Sequence, residues 1–316
     1  MSQLESNKPN IVLDEPVFIT GIARSGTSLL YRCLLSHSHF KPELNDNTVK
    51  LTVESKVFLQ FENIYNSDNA EWYMVRNHDI KNQFLKSVAN AKYYQKIGNF
   101  PYQILRKHSS SRTLRQIAFK LGLNHIVLRK YFYYAQEARK VLRIIEKTPD
   151  HIRQIPEIRA TFSNAKIIFL YRHPIDVLSS VRKRKKRTEQ SGREVKSWLK
   201  ISIEDFCGNY ESLVKIALNE MQNDGGKQFM LLKYEDLTSH VDENFQKICD
   251  FISIPFEEQM IPQSKKTKKN DLAGLSGGEI VTKTKNWEDF LCRRDAQAVE
   301  TKLSDLMKEL NYEKYT

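Results

Sequence analysis

No apolar run in this chain of 316 residues approaches the roughly 18–20 residues that a membrane-crossing helix needs. The opening segment, MSQLESNKPNIVLDEP, is polar and has none of the apolar core of a secretory leader. Cysteine is scarce and scattered: Cys33, Cys207, Cys249 and Cys292 form no CxxC pair. That pattern argues against a disulfide framework or a cysteine zinc site and suits reduced thiols. The eight histidines show no HExxH or comparable ligand spacing. No internal repeat is visible. These absences predict a cytoplasmic protein with no metal site and no membrane span.

What is present is a globular composition, 40% hydrophobic and 28% charged, in a chain long enough to bury a large core. The formal charge is +12. A lysine-rich solvated surface accounts for it as well as a positive cleft for an anionic partner does.

The chain is organised around residues 17–35, VFITGIARSGTSLLYRCLL. Val17, Phe18 and Ile19 read as a strand, Gly21 and Gly26 bracket a turn, and Leu29, Leu30, Cys33 and Leu34 give the next segment a helical apolar face. Such a turn presents backbone N–H donors at a helix N-terminus, where the dipole also favours an anion. The spacing Gly21-x4-Gly26-Thr27-Ser28 fits the nucleotide P-loop except that Thr27 stands where that pattern has lysine. Arg24 is the cation inside the turn. A helix N-terminus capped by Ser25 or Thr27 is the purely structural reading.

Further along, residues 48–147 are expected to be mainly helical. A helix with Ile152, Ile155, Ile158 and Phe162 on its buried face is expected next. KIIFLY, 166–171, is the strongest strand, an apolar run suited to burial on both faces. Pro174 and Asp176 suit the first turn of the helix after it. Phe206, Tyr210, Leu213 and Ala217 repeat at helical spacing. Gly225-Gly226 precedes a strand at 229–232, and Phe245, Ile248 and Ile252 mark another helix. Residues 262–286 form a long basic loop, and Trp287 opens a helix reaching about Leu310. Strands alternating with helices predict an α/β fold with a parallel sheet and ligands beyond the carboxyl ends of the strands.

Four separated blocks resemble the sulfotransferase superfamily, which uses 3′-phosphoadenosine 5′-phosphosulfate (PAPS), and most of all the branch that includes tyrosylprotein sulfotransferases and many bacterial members. They occur in that family's order across most of residues 17–290. The resemblance implies a P-loop-type parallel sheet flanked by helices, with a helical acceptor-side insertion. It makes residues 1–316 one sulfotransferase domain: 16–47 the phosphosulfate loop unit, 48–147 the acceptor side, and 148–316 the 3′-phosphate and adenine side.

The first block, IARSGTSLL, looks like the family's 5′-phosphosulfate loop. It implies contacts from the N–H groups of Ser25, Gly26, Thr27 and Ser28, the hydroxyls of Thr27 and Ser28, and Arg24. The second, KIIFLYRHPIDVLSSVRKR, places Arg172 and Ser180 where the family binds the 3′-phosphate. Arg184 joins them by its likeness to tyrosylprotein sulfotransferases. Lys183, Lys185 and Lys186 read as a solvated face. The third, Glu146-Lys147-Thr148-Pro149, looks like the EKTP segment, whose lysine works at the acceptor side. The fourth, LLKYEDL, makes Tyr234 an adenine-side contact, with Glu235 and Asp236 structural. Lys283, Thr284 and Lys285 match the place where the family closes over the cofactor.

The implied reaction is in-line sulfuryl transfer from PAPS to a hydroxyl, releasing adenosine 3′,5′-bisphosphate (PAP), with no metal required. Glu43, after Pro42, is the expected base, with Asp46 in reserve and His37 or His39 as alternatives. A carboxylate of ordinary pKa, about 4.3, is ionised at neutral pH and can accept the proton. The acceptor is a hydroxylated small molecule, a carbohydrate or a phenol, and oligomeric state is unreadable. Two rivals remain. A divergent P-loop kinase would need lysine at position 27 and a Mg²⁺-holding carboxylate at a strand end. A basic nucleic-acid-binding protein would account for the 182–187 and 265–269 runs, but no nucleic-acid-binding signature or aromatic interleaving accompanies them.

Overall fold

The strand KIIFLY forms the centre of the sheet. In a computed structural model, the structure describes residues 12–41, 140–261 and 287–316, with positions 58, 125, 128, 129, 132, 133 and 136. Strand β1 is Val12–Gly21, β2 Arg143–Lys147, β3 Lys166–Tyr171 and β4 Phe229–Lys233. All pair in parallel, in the order β2-β1-β3-β4. The chain leaves β1 towards β2, then crosses back to β3 on β1's other side. The carboxyl ends of β1 and β3 therefore form the topological switch point, where ligands of open α/β sheets bind.

Helices cover both faces. Alternate side chains of each strand point to opposite faces, so Val17 and Ile19 join Ile168 and Leu170 on one face while Phe18 joins Ile167 and Phe169 on the other. Against the first face pack α1 (Thr27–Leu35) and α6 (Val241–Ile252). Helix α6 does so through Phe245, Ile248, Cys249 and Ile252, an i, i+3, i+4, i+7 stripe. Against the second pack α2 (Ile155–Thr161), α3 (Pro174–Gln190) and α4 (Ile203–Asp224). Residues 167–170 are fully buried, and each such side chain contributes roughly 1.5–3 kcal/mol.

The helix boundaries follow local chemistry. The Ser202 hydroxyl accepts the N–H of Asp205 at 3.0 Å and starts α4, which ends at Gly225 with φ 61°. Helix α3 is mostly buried as far as Val181, then cationic and largely solvated. The short α5 (Tyr234–Ser239) follows β4 directly.

Two expectations change. Residues 143–147, placed at the end of a helical region, are strand β2, flanking β1 and buried along their length. The expected helix from Trp287 is a 3₁₀ turn, Trp287–Asp289, then α7 (Arg293–Lys302) and α8 (Ser304–Glu309). Among the described residues no helix is long and apolar enough to cross a membrane.

Candidate active site

The loop after β1 is held to β3 by two close approaches. At Gly21, φ 145°, a Cβ would meet the Leu170 carbonyl oxygen at 2.2 Å, so only glycine fits. Ile22 N–H donates to that same carbonyl at 3.0 Å. Ser25 is fully buried, and its hydroxyl lies 2.6 Å from the Ile22 carbonyl oxygen and 2.8 Å from that of Leu170. Its N–H, expected to face a phosphate, instead donates to Ile22 O at 3.1 Å. Ser25 thus fixes the loop.

Arg24 (φ 75°) and Gly26 (φ 99°) both take the left-handed conformation, which curls the chain immediately before α1. Gly26 is the N-cap, and no side chain caps the helix. The N–H groups of Gly26, Thr27 and Ser28 find no acceptor among the described residues. They are the orphan donors of a helix start, at its positive end. Thr27 is buried and Ser28 half-buried.

The loop after β3 meets this one. Arg24 Nε donates to Ser180 Oγ at 3.2 Å, joining residues 156 positions apart. Arg172 follows β3 as Tyr234 follows β4, and Tyr171 pairs with Lys233 in register. The Arg172 guanidinium accordingly lies over the Tyr234 ring, 4.5 Å from its centroid. The same ring touches Gly26, where a Cβ would meet Tyr234 Cδ2 at 2.5 Å. Tyr234 therefore contacts both loops. Burial pushes its phenol up, and the Arg172 charge opposes that shift.

Arg172 is fixed from several sides. Its Nη2 lies 3.3 Å from Asp176 Oδ2, one helical turn on. Its carbonyl accepts the Tyr210 hydroxyl at 2.6 Å. Its Nε is buried and has no hydrogen-bond partner among the described residues. Burial raises the Asp176 carboxyl, and the Arg172 cation beside it opposes that rise. Arg184 is exposed on α3, four residues beyond Ser180.

Lys147 ends β2 in register with Ile19 and is buried, 2% exposed. Glu146 accepts from Thr148 Oγ1 at 2.6 Å and pairs with His151 Nδ1 at 2.9 Å. The EKTP segment thus folds on its own carboxylate. Glu43, Asp46, Lys283, Thr284 and Lys285 lie outside the described residues.

The histidine alternatives sit elsewhere. His37 Nε2 lies 2.8 Å from the Pro255 carbonyl oxygen, and Nδ1 accepts the His39 N–H at 3.1 Å, so both ring nitrogens are engaged. The His39 carbonyl accepts the N–H of Arg143, at the start of β2. Lys147 ends that strand about 13 Å away, at ~3.3 Å per residue. Both histidines therefore belong to the edge of the sheet opposite the two loops.

Two supporting contacts go beyond what the sequence indicates, Asp176 on Arg172 and Tyr210 on its carbonyl, whereas Glu235, expected to be structural, fixes the loop by accepting the His173 N–H on Oε1 at 3.0 Å. The i, i+4 spacing of Arg172 and Asp176 was a usable signal. Tyr210, 38 residues from Arg172, gave none beyond its place on a buried stripe.

Orphan helix-start donors, Arg24 tied to Ser180 and a braced Arg172 make a site for an anion with more than one charged group. Comparison with known proteins agrees with that chemistry. The model of the sulfotransferase family matches residues 16–258. No curated protein matches the chain at a significant level. Among solved structures, the fold is similar to the sulfotransferase domain of the Synechococcus PCC 7002 olefin synthase (TM-score 0.55, 18% identity, 99% of each chain covered). It is equally similar to the sulfotransferase domain from the curacin biosynthetic pathway (TM-score 0.55, 18% identity, 95% of this chain and 98% of that one). The family match takes in both loops, most of β1, strands β2 to β4 and the EKTP segment, and the chain belongs to the sulfotransferase family as a sulfotransferase enzyme.

Proposed function

We propose that the chain transfers the sulfuryl group of PAPS to a hydroxyl of an acceptor. One observation carries the reading: the contact between Arg24 Nε and Ser180 Oγ, which unites the phosphosulfate loop with the 3′-phosphate helix in a single site. The buried Arg172 Nε, with no hydrogen-bond partner among the described residues, supports it, because a phosphate oxygen would supply the acceptor.

Arg172, Ser180 and Arg184 hold the 3′-phosphate. The N–H groups of Gly26, Thr27 and Ser28, with the Thr27 and Ser28 hydroxyls, hold the 5′ end. Tyr234 supplies the adenine-side contact, and Lys283 and Lys285 close over the cofactor. PAPS supplies an activated sulfuryl group with PAP as leaving group. Glu43 takes the acceptor's proton as the acceptor oxygen bonds to sulfur. The bond from sulfur to the bridging oxygen breaks, and its electron pair leaves with PAP. Arg24 and Lys147 stabilise the charge developing on that oxygen. Two fixed cations and helix-start donors fill the part that Mg²⁺ plays for a more highly charged phosphoryl group.

The acceptor is a hydroxylated small molecule, carbohydrate or phenol, bound against residues 48–147 of one continuous sulfotransferase domain. The unpaired Cys33, Cys207, Cys249 and Cys292 favour the cytoplasm as its location. Thermal shift tests the donor. PAP without Mg²⁺ is expected to stabilise the protein, and Arg172→Ala to abolish most of the shift. Stabilisation only by ATP with Mg²⁺ would assign the site to a kinase.

A further inference from the structure

Residues 312–316 follow α8 and return to the carboxyl edge of the sheet. Tyr312 donates its hydroxyl to Glu235 Oε2 at 3.0 Å, and Glu235 Oε1 holds the His173 N–H. His173 Nε2 lies 2.9 Å from the Glu313 carbonyl oxygen, while its Nδ1 accepts the Ile175 N–H at 3.3 Å. The ring of Tyr315 stacks on His173 with centroids 3.8 Å apart and planes 4° from parallel. Tyr315 then points its hydroxyl at Asp176 Oδ2, 3.4 Å away. That oxygen is the one facing Arg172 Nη2 at 3.3 Å. The far end of the stretch is fixed by Glu300, a 2% exposed carboxylate that accepts the Tyr315 N–H and the Thr316 hydroxyl.

These contacts converge on the turn that carries Arg172. A buried glutamate on α7 would not be retained against water without donors, and the stretch supplies two of them. The stacked ring also covers His173, the residue after Arg172 in the turn between β3 and α3. We propose that residues 312–316 act as a strap that sets the orientation of Arg172, with Tyr315 as a positioning residue acting through Asp176. This rests on the reading of Arg172 as a 3′-phosphate ligand. Tyr315 fixes the Asp176 carboxylate, the carboxylate fixes the guanidinium, and Nε stays presented to the ligand at little ordering cost on binding.

Calorimetry with two ligands tests it: PAP, and adenosine 5′-phosphate, which lacks the 3′-phosphate. Wild type is expected to prefer PAP, and Arg172→Ala to lose that preference. Tyr315→Ala should weaken PAP ~10-fold and leave adenosine 5′-phosphate within ~2-fold, since only the 3′-phosphate contact depends on the strap. Tyr315→Phe keeps the stack and loses the hydroxyl, so ~3-fold on PAP alone is expected. Tyr315→Phe carries the test if Tyr315→Ala does not fold. Equal weakening of both ligands, or no change in either, overturns the strap. A wild type that does not distinguish the ligands overturns the donor reading instead.

Discussion

Gly26→Ala perturbs the point where the glycine loop after β1, Tyr234 and Arg172 meet. The backbone at Gly26 has φ 99° and ψ 7°, and an L-residue held in left-handed space costs about 1–2 kcal/mol. The new methyl would also lie 2.5 Å from Tyr234 Cδ2 and 2.6 Å from Cε2. The ring must therefore move, and its stack under Arg172, worth about 0.5–2 kcal/mol, is lost or strained. The expected total is about 2–3 kcal/mol of stability, read by urea denaturation. PAP affinity should fall by roughly 30-fold if about 2 kcal/mol of it reaches the binding step. A double-mutant cycle separates the two causes. With Tyr234→Ala already present, Gly26→Ala should cost only the backbone part, giving a coupling of about 1 kcal/mol or more between the sites. Additive effects would refute the contact as the cause, and an unchanged stability of Gly26→Ala alone would refute the backbone argument.

Other perturbations follow from the same geometry. Ser25→Ala removes a buried hydroxyl shared by the Ile22 and Leu170 carbonyls and should lower stability by about 1–3 kcal/mol in chemical denaturation. His173 is depressed below its ordinary 6.5, first by burial, so the unfolded chain takes up its proton before the folded one does. Its stabilisation is therefore complete above about 6.5 and is lost as pH falls through the lower folded value, with His39 contributing in the same direction. His173→Asn should flatten that acid limb in a stability–pH series. Glu43→Ala is expected to bind PAP as wild type does and to lose at least ~100-fold in turnover, measured with labelled donor; unchanged turnover would remove Glu43 as the base.

The legible parts of the sequence were those whose signal is local. KIIFLY reads as a doubly covered strand because its apolar run is uninterrupted, and residues 167–170 are indeed fully buried. The turn at 21–26 declares itself through glycines whose positive φ angles the structure confirms. RIIEK reads poorly because three of its five residues are charged, and a strand signal assumes that charge faces water. Here the charges are buried against partners outside the strand, those of Arg143 more than 100 residues away in sequence. Arg143 bonds the Glu15 and Ile252 carbonyls, and Glu146 holds Thr148 and His151. The strap was illegible for the same reason: Tyr315 and Asp176 stand 139 residues apart.

The arrangement also explains why Tyr234 lies against both Gly26 and Arg172. Parallel pairing of β3 with β4 puts Tyr171 opposite Lys233, so the next residues, Arg172 and Tyr234, leave the sheet side by side. Pairing of β1 with β3 puts Gly21 opposite Leu170, so the glycine loop leaves one step earlier and curls back over that pair. Register alone thus brings a glycine without a Cβ, an aromatic ring and an arginine into contact. The Tyr234 ring and the Asp176 carboxylate both limit where the guanidinium can go. A lysine in place of Arg172 could keep the charge, but not the planar stack together with a free Nε donor. Arg172→Lys is therefore expected to lose most of the preference for PAP over adenosine 5′-phosphate while leaving stability within about 1 kcal/mol; a preference kept intact would mean that charge alone, and not the braced guanidinium, recognises the 3′ end.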